Sequence, residues 1–120
     1  MRSLVVVAHG SRREASNQEV RDLCDRLAAQ TKEQFHCVNA GFLELAEPSI
    51  PEGIQHCIDA GASEVVVLPY FLSAGRHVAE DIPAEVEKAR SSNPDVDIRL
   101  VPYLGAAPDI MNVMIRLAGG

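Results

Sequence analysis

Hydrophobic and polar positions along the chain switch repeatedly between two periods. Residues 4–8 form an unbroken, mostly β-branched apolar run, the pattern of a strand covered on both faces. Val20, Leu23, Cys24, Leu27 and Ala28 then recur at helical spacing on one face. Ser16, with Glu19 three residues on, predicts a capping box at the start of that helix. Residues 38–45 predict a second strand. Ser49 and Glu52 make a second capping box, with Pro51 tolerated in the first turn. Its apolar stripe is Ile50, Ile54, Cys57 and Ile58, and Gly61 stands where a helix of that length should stop. Residues 65–71 predict a third strand. Residues 78–90 predict a helix with Ile82, Val86 and Ala89 on one side, and Pro83 in an early turn or at a kink. Asn93-Pro94-Asp95 is a turn signal, and residues 98–101 predict a fourth strand. Pro108 opens a last helix whose Ile110, Val113, Met114 and Leu117 are expected to face inward, ahead of a frayed Gly119-Gly120 end.

Four strand–helix units in succession predict an α/β fold, a three-layer sandwich with a four-stranded parallel sheet and helices on both faces. The 120 residues carry no linker, internal repeat or low-complexity tract, so one domain over residues 1–120 is expected.

Composition narrows the function classes. Apolar residues make up 47% and charged residues 23%, ordinary globular usage that excludes a disordered chain. The net charge is −6 and no basic block occurs, so no nucleic-acid partner is expected. No apolar run approaches the ~20 residues of a membrane helix, and the first run is too short for a signal peptide, so no membrane partner is expected either. Cys24, Cys37 and Cys57 are odd in number and form no C-x-x-C, which disfavours a disulfide framework or a cysteine zinc site. Cys24 and Cys57 lie on apolar helix faces and read as buried thiols, and a reducing cytoplasm is the expected compartment.

Ligands of open parallel sheets bind beyond the carboxyl ends of the strands. The polar residues there are His9, Gly10, Ser11, Arg12 and Arg13 after the first strand and Glu44 and Glu47 after the second. Ser73, Gly75, Arg76 and His77 follow the third, and Tyr103 and Gly105 the fourth. Two of the four histidines thus fall at this edge, each beside glycine and arginine, while His36 and His56 fall elsewhere. A lone histidine there would read as structural. Two, with a carboxylate nearby, suit a loosely held divalent first-row ion and a proton acceptor. No four ligands can be assembled into a closed zinc site. The dinucleotide and P-loop fingerprints and the nucleophile elbow are absent. Arg12, Arg13 and Arg76, in an acidic protein, suit a ligand bearing carboxylates or phosphates; the plain alternative is a solvated surface. Glu47 reads equally as an early-helix charge.

Three blocks together resemble the class II chelatases. They are His9-Gly10-Ser11-Arg12 after its apolar strand, residues 42–51 (FLELAEPSIP), and residues 68–83 (LPYFLSAGRHVAEDIP). The match is nearest the small, single-domain sirohydrochlorin chelatases and spans nearly the whole chain. The resemblance implies strand order 2-1-3-4 and insertion of a divalent metal into sirohydrochlorin with release of two protons. Co2+ insertion in cobalamin biosynthesis is the first expectation, with Ni2+ or Fe2+ as alternatives at the same site. It implies His9 as proton acceptor and metal ligand, His77 as metal ligand, and Glu47 as a substrate contact. It further implies a substrate loop of Leu72, Ser73, Ala74, Gly75, Arg76 and His77, with Arg12 placed for the substrate's carboxylates. No cofactor beyond the substrate metal is expected, and a homodimer is. Ala74 stands where some members carry another histidine, and residues 91–97 hold no histidine-rich insert. Outside this class stand a non-catalytic metal or tetrapyrrole carrier and a phosphate-binding module.

Overall fold

The structure is a computed structural model that describes residues 1–119. Its sheet contains β1 (Arg2–Ala8), β2 (Cys37–Phe42), β3 (Glu64–Pro69) and β4 (Asp97–Leu100). All pairings are parallel, in the order β2-β1-β3-β4, as the resemblance implied. Helices α1 (Glu14–Gln30), α2 (Ile50–Asp59), α3 (Ile82–Ser92) and α4 (Asp109–Leu117) follow the four strands.

This order fixes which face each helix covers. Right-handed crossovers put helices on one face when the chain moves one way along the sheet and on the other when it moves back. The chain steps from β1 out to β2, then returns over β1 to β3 and continues to β4. Accordingly α1 packs with Leu4, Val6, Ala8, Ala40, Phe42 and Val66 on one side. On the other side α2 and α3 pack Ile50, Ile54, Cys57, Ile82 and Val86 against Val5, Val7, Val65 and Val67. Alternate residues of β1 feed opposite layers, which is why its apolar run is unbroken. Each fully buried Val or Ile stabilises the fold by roughly 1.5–3 kcal/mol relative to exposure.

The second capping box forms as expected, with Ser49 Oγ accepting from Glu52 N and Glu52 Oε1 from Ser49 N. These bonds hold the Glu52 carboxyl below its usual range. Gly61 ends the helix with φ +109°, and Gly61 N and Ala62 N donate to the Ile58 and Cys57 carbonyls.

Several expectations need correction. No cap forms at Ser16: α1 begins at Glu14, and Asn17 instead accepts from Ser11 N and donates to the Ser11 carbonyl, satisfying the turn before the helix. Strand β2 ends at Phe42, whose edge-facing N–H donates to the Pro48 carbonyl. Strand β3 ends at Pro69. The third helix starts with a π-turn, His77–Asp81, before α3 proper. Most clearly, α4 does not pack inward. Val113, Met114 and Leu117 are exposed, Leu117 to 83%, and only Ile110 is partly covered. Gly120 lies outside the described residues, and Gly119 closes α4 by donating to the Arg116 carbonyl. No helix among the described residues is long and apolar enough to cross a membrane.

Replacing Ser49 by Ala should remove one cap bond and lower stability by about 1 kcal/mol in urea unfolding, with an unchanged slope. Ser16→Ala, by contrast, should have little effect.

Candidate metal-exchange site

Strands β1 and β3 are neighbours, but their onward connections run in opposite directions. Such a divergence leaves a crevice at the carboxyl ends that no connection closes. His9 leaves β1 into this crevice, and His77 comes to it from the segment after β3. Their ring centroids lie 4.8 Å apart, edge to face at 61°. The side chains are 41% and 43% exposed, so the pair is open on one side to a ligand.

Both rings are held through Nδ1. In His9, Nδ1 is 2.9 Å from the Gly10 carbonyl; in His77, Nδ1 is 2.8 Å from Asp81 Oδ2. A carbonyl and a carboxylate both accept, so these contacts favour hydrogen on Nδ1 in both rings and leave both Nε2 atoms for chemistry. His9 Nε2 lies 3.0 Å from Glu44 Oε2. Nothing but a shared proton or a cation can sit favourably between an imidazole lone pair and a carboxylate oxygen. Among the described residues, no group of three or more His, Cys, Asp or Glu side chains is arranged to hold a metal ion. His9 therefore touches both Glu44 and His77, in an arrangement open on one side.

The backbone explains why Glu44 arrives there. The β1–β2 ladder continues past the strands, with Leu43 N and Glu44 N donating to the Ala8 and His9 carbonyls. Gly10 then meets Glu44 so closely that an added Cβ would lie 1.7 Å from the Glu44 carbonyl oxygen. Gly10 also has φ +94°, the region glycine tolerates. Next to Glu44, Leu45 takes φ +66°, which costs a non-glycine residue roughly 1–2 kcal/mol. Strain of this kind gathers at functional loops.

Of the two glutamates that follow β2, the one that reaches a site histidine is therefore Glu44 and not Glu47. Glu47 is exposed, accepts from Arg21 through its carbonyl, and borders a cavity of about 310 Å3 with Pro48, Glu52 and His56. Of the expected substrate loop, Leu72, Ser73, Ala74, Gly75 and Arg76 are exposed beside the part-buried His77, Leu72 to 71%. Arg76 lies 3.6 Å from Glu80. The loop's base is tied down where Gly105 N donates to the Phe71 carbonyl, and a Cβ on Gly105 would lie 1.9 Å from the Leu72 oxygen. Tyr70, Phe71, Leu72 and Leu104 line an apolar cavity of about 240 Å3 there. Arg12 is exposed and forms no ion pair among the described residues, so it is available to an anionic ligand.

The remaining histidines and thiols are set apart from this pair. His36 bonds the Arg2 carbonyl at the opposite end of β1, and His56 borders a cavity beside the edge strand β2. Burial pushes the Cys57 thiol up to about 12 and Cys24 to about 11, so both stay protonated.

The sequence model of the CbiX family matches residues 3–118. The chain belongs to the CbiX family. It is 41% identical over 83 residues to the sirohydrochlorin cobaltochelatase of Methanococcus maripaludis, covering 69% of this chain and 56% of the relative. It is 32% identical over 111 residues to the chloroplastic sirohydrochlorin ferrochelatase of Arabidopsis thaliana, covering 92% and 48%. Among solved structures, the cobalt complex of the Bacillus subtilis sirohydrochlorin chelatase SirB superposes with TM-score 0.85 at 28% identity, covering 98% of this chain and 50% of that one. The CbiX protein of Marinobacter aquaeolei superposes with TM-score 0.80 at 28% identity, covering 99% and 95%. This CbiX chain thus spans about half the length of the curated relatives it matches.

Gly10→Ala should destabilise the CbiX chain by about 1–3 kcal/mol from backbone strain alone, and by more once the Glu44 carbonyl must retreat. Thermal unfolding would register the loss, and Gly75→Ala, which meets open space, is the control.

Proposed function

We propose that this protein is a sirohydrochlorin cobaltochelatase that inserts Co2+ into sirohydrochlorin with release of two protons, in cobalamin biosynthesis. The observation that carries this reading is the meeting of two Nδ1-anchored imidazoles, with Glu44 on one of them, in an open crevice. Metal insertion brings one dication in and takes two pyrrole protons out. His9 and His77 bind the ion through Nε2 while it sheds water. As the ion leaves His9 Nε2 for the ring nitrogens, His9 with Glu44 accepts the two pyrrole protons in turn and passes each to solvent, since an imidazole serves as ligand and as base. Arg12 and Arg76 pair with the substrate's carboxylates, and the apolar rim of Phe71 and Leu72 presses on the ring. Glu47 contacts the substrate, apart from the His9–Glu44 pair. The whole of residues 1–120 acts as one chelatase domain, and no cofactor beyond the substrate metal is required.

The same site would accept Ni2+ or Fe2+, and relatives named as ferrochelatases support keeping iron as the alternative. Ligand type discriminates poorly among these ions. The partners of this reading are sirohydrochlorin, the divalent ion and a second copy of the chain, with no nucleic acid and no membrane; the compartment is the cytoplasm. The second copy is supported by α4, whose Ile110, Val113, Met114 and Leu117 form an apolar stripe with little cover. Large exposed apolar patches of this kind mark protein interfaces.

With sirohydrochlorin and Co2+ in excess over protein, the visible spectrum should change through many turnovers. A change that stops at one equivalent of protein would establish a carrier instead. His9→Ala and His77→Ala should each slow insertion at least tenfold with the fold intact, whereas His36→Ala and His56→Ala should be nearly silent. Competition among Co2+, Ni2+ and Fe2+ ranks the substrate metals. Light scattering should give twice the 13.0 kDa chain mass, and Met114→Asp should halve it; a monomeric parent chain would refute the second copy.

A further inference from the structure

No chemical role has yet fallen to Asp81, although its Oδ2 lies 2.8 Å from Nδ1 of His77. The two residues bracket the π-turn, and Pro83 accounts for that turn. Proline has no N–H to give to the Ala79 carbonyl, and its ring crowds that oxygen. The preceding turn widens, so that Ile82 N donates to His77 O, five residues back. Such single π-turns within helices recur at functional sites. The consequence here is that His77 is anchored by a carboxylate, whereas His9 is anchored by a neutral carbonyl.

We propose that Asp81 is a positioning residue for His77 in the metal insertion described above, on which this inference rests. Its carboxylate holds the ring's hydrogen on Nδ1, fixes the ring plane, and leaves the Nε2 lone pair for the dication. A carboxylate behind a ligating imidazole also makes it a better donor. This divides the labour of the pair: His77 is the stronger holder of the metal, and His9 is the group that takes up the proton.

The test uses the full chain with Co2+ alone, followed by calorimetry, together with 15N histidine spectra at about pH 8, above the usual imidazole range. The parent chain should show His77 with hydrogen on Nδ1. Asp81→Ala should weaken Co2+ binding by about 10–100-fold and let the Nε2–H tautomer appear. Its melting temperature should stay close to the parent's, because the pair is nearly half exposed. Asp81→Asn keeps an acceptor at the same place and should recover part of the affinity. A parent chain with His77 hydrogen on Nε2 would overturn the proposal, and this reading needs no variant to fold. So would parental Co2+ affinity in Asp81→Ala. Turnover of sirohydrochlorin with either of those results sinks the role of Asp81 alone. Co2+ binding that depends on Asp81 without any turnover sinks the chelatase reading and leaves the histidine anchoring in place.

Discussion

Everything at the site depends on the reversal of chain direction between β1 and β3. Both strands point the same way and pair residue for residue, yet one hands the chain on to β2 and the other to β4. Their connections part, and a crevice opens above the two best-buried strands of the sheet. Val5, Val7, Val65 and Val67 have no solvent exposure, so the floor of that crevice is closely packed. Residues that leave this floor start from well-defined positions. His9 is one residue past β1, which limits how far its ring can wander. His77 is eight residues past Pro69 and needs a second constraint, which the π-turn and the ties between Gly105, Phe71 and Leu72 provide.

The fold was legible because its signals are local and repeated. Apolar runs gave strands, the Ser49–Glu52 box and Gly61 marked both ends of α2, and strand–helix alternation led to a parallel sheet. Where local signals competed, pattern reading failed for identifiable reasons. Ser16–Glu19 has capping-box spacing, but the Ser11–Asn17 bond pair satisfies the turn earlier and the helix begins before Ser16. The apolar stripe of α4 resembles any core-facing stripe, because the period of a stripe does not say what covers it.

The histidine pair was legible for a topological reason, and the carboxylate was not. Strand ends with histidine next to glycine are visible in the chain. Choosing between Glu44 and Glu47 needs the register. With Ala8 opposite Phe42, two further steps bring Gly10 opposite Glu44, and the missing side chain of Gly10 is what admits that backbone. Glycine beside the first histidine was therefore a signal for Glu44, readable only once the β1–β2 pairing is known. Asp81 was hidden differently: its spacing from His77 suits any helix, and only the widened turn ahead of Pro83 couples it to the ring as found.

In the proposed exchange, charge gives a reason for two carboxylates to lie against the two imidazoles. With both rings neutral, His9–Glu44 and His77–Asp81 together carry two negative charges. A dication brings that sum to zero, and so do two protons. Exchanging one for the other would leave the site's charge unchanged. A closed cage of four ligands would bind the ion too tightly to surrender it to a tetrapyrrole. In the proposed exchange, two Nε2 atoms open to solvent would hold the ion on one side and leave its other face to the incoming ring nitrogens.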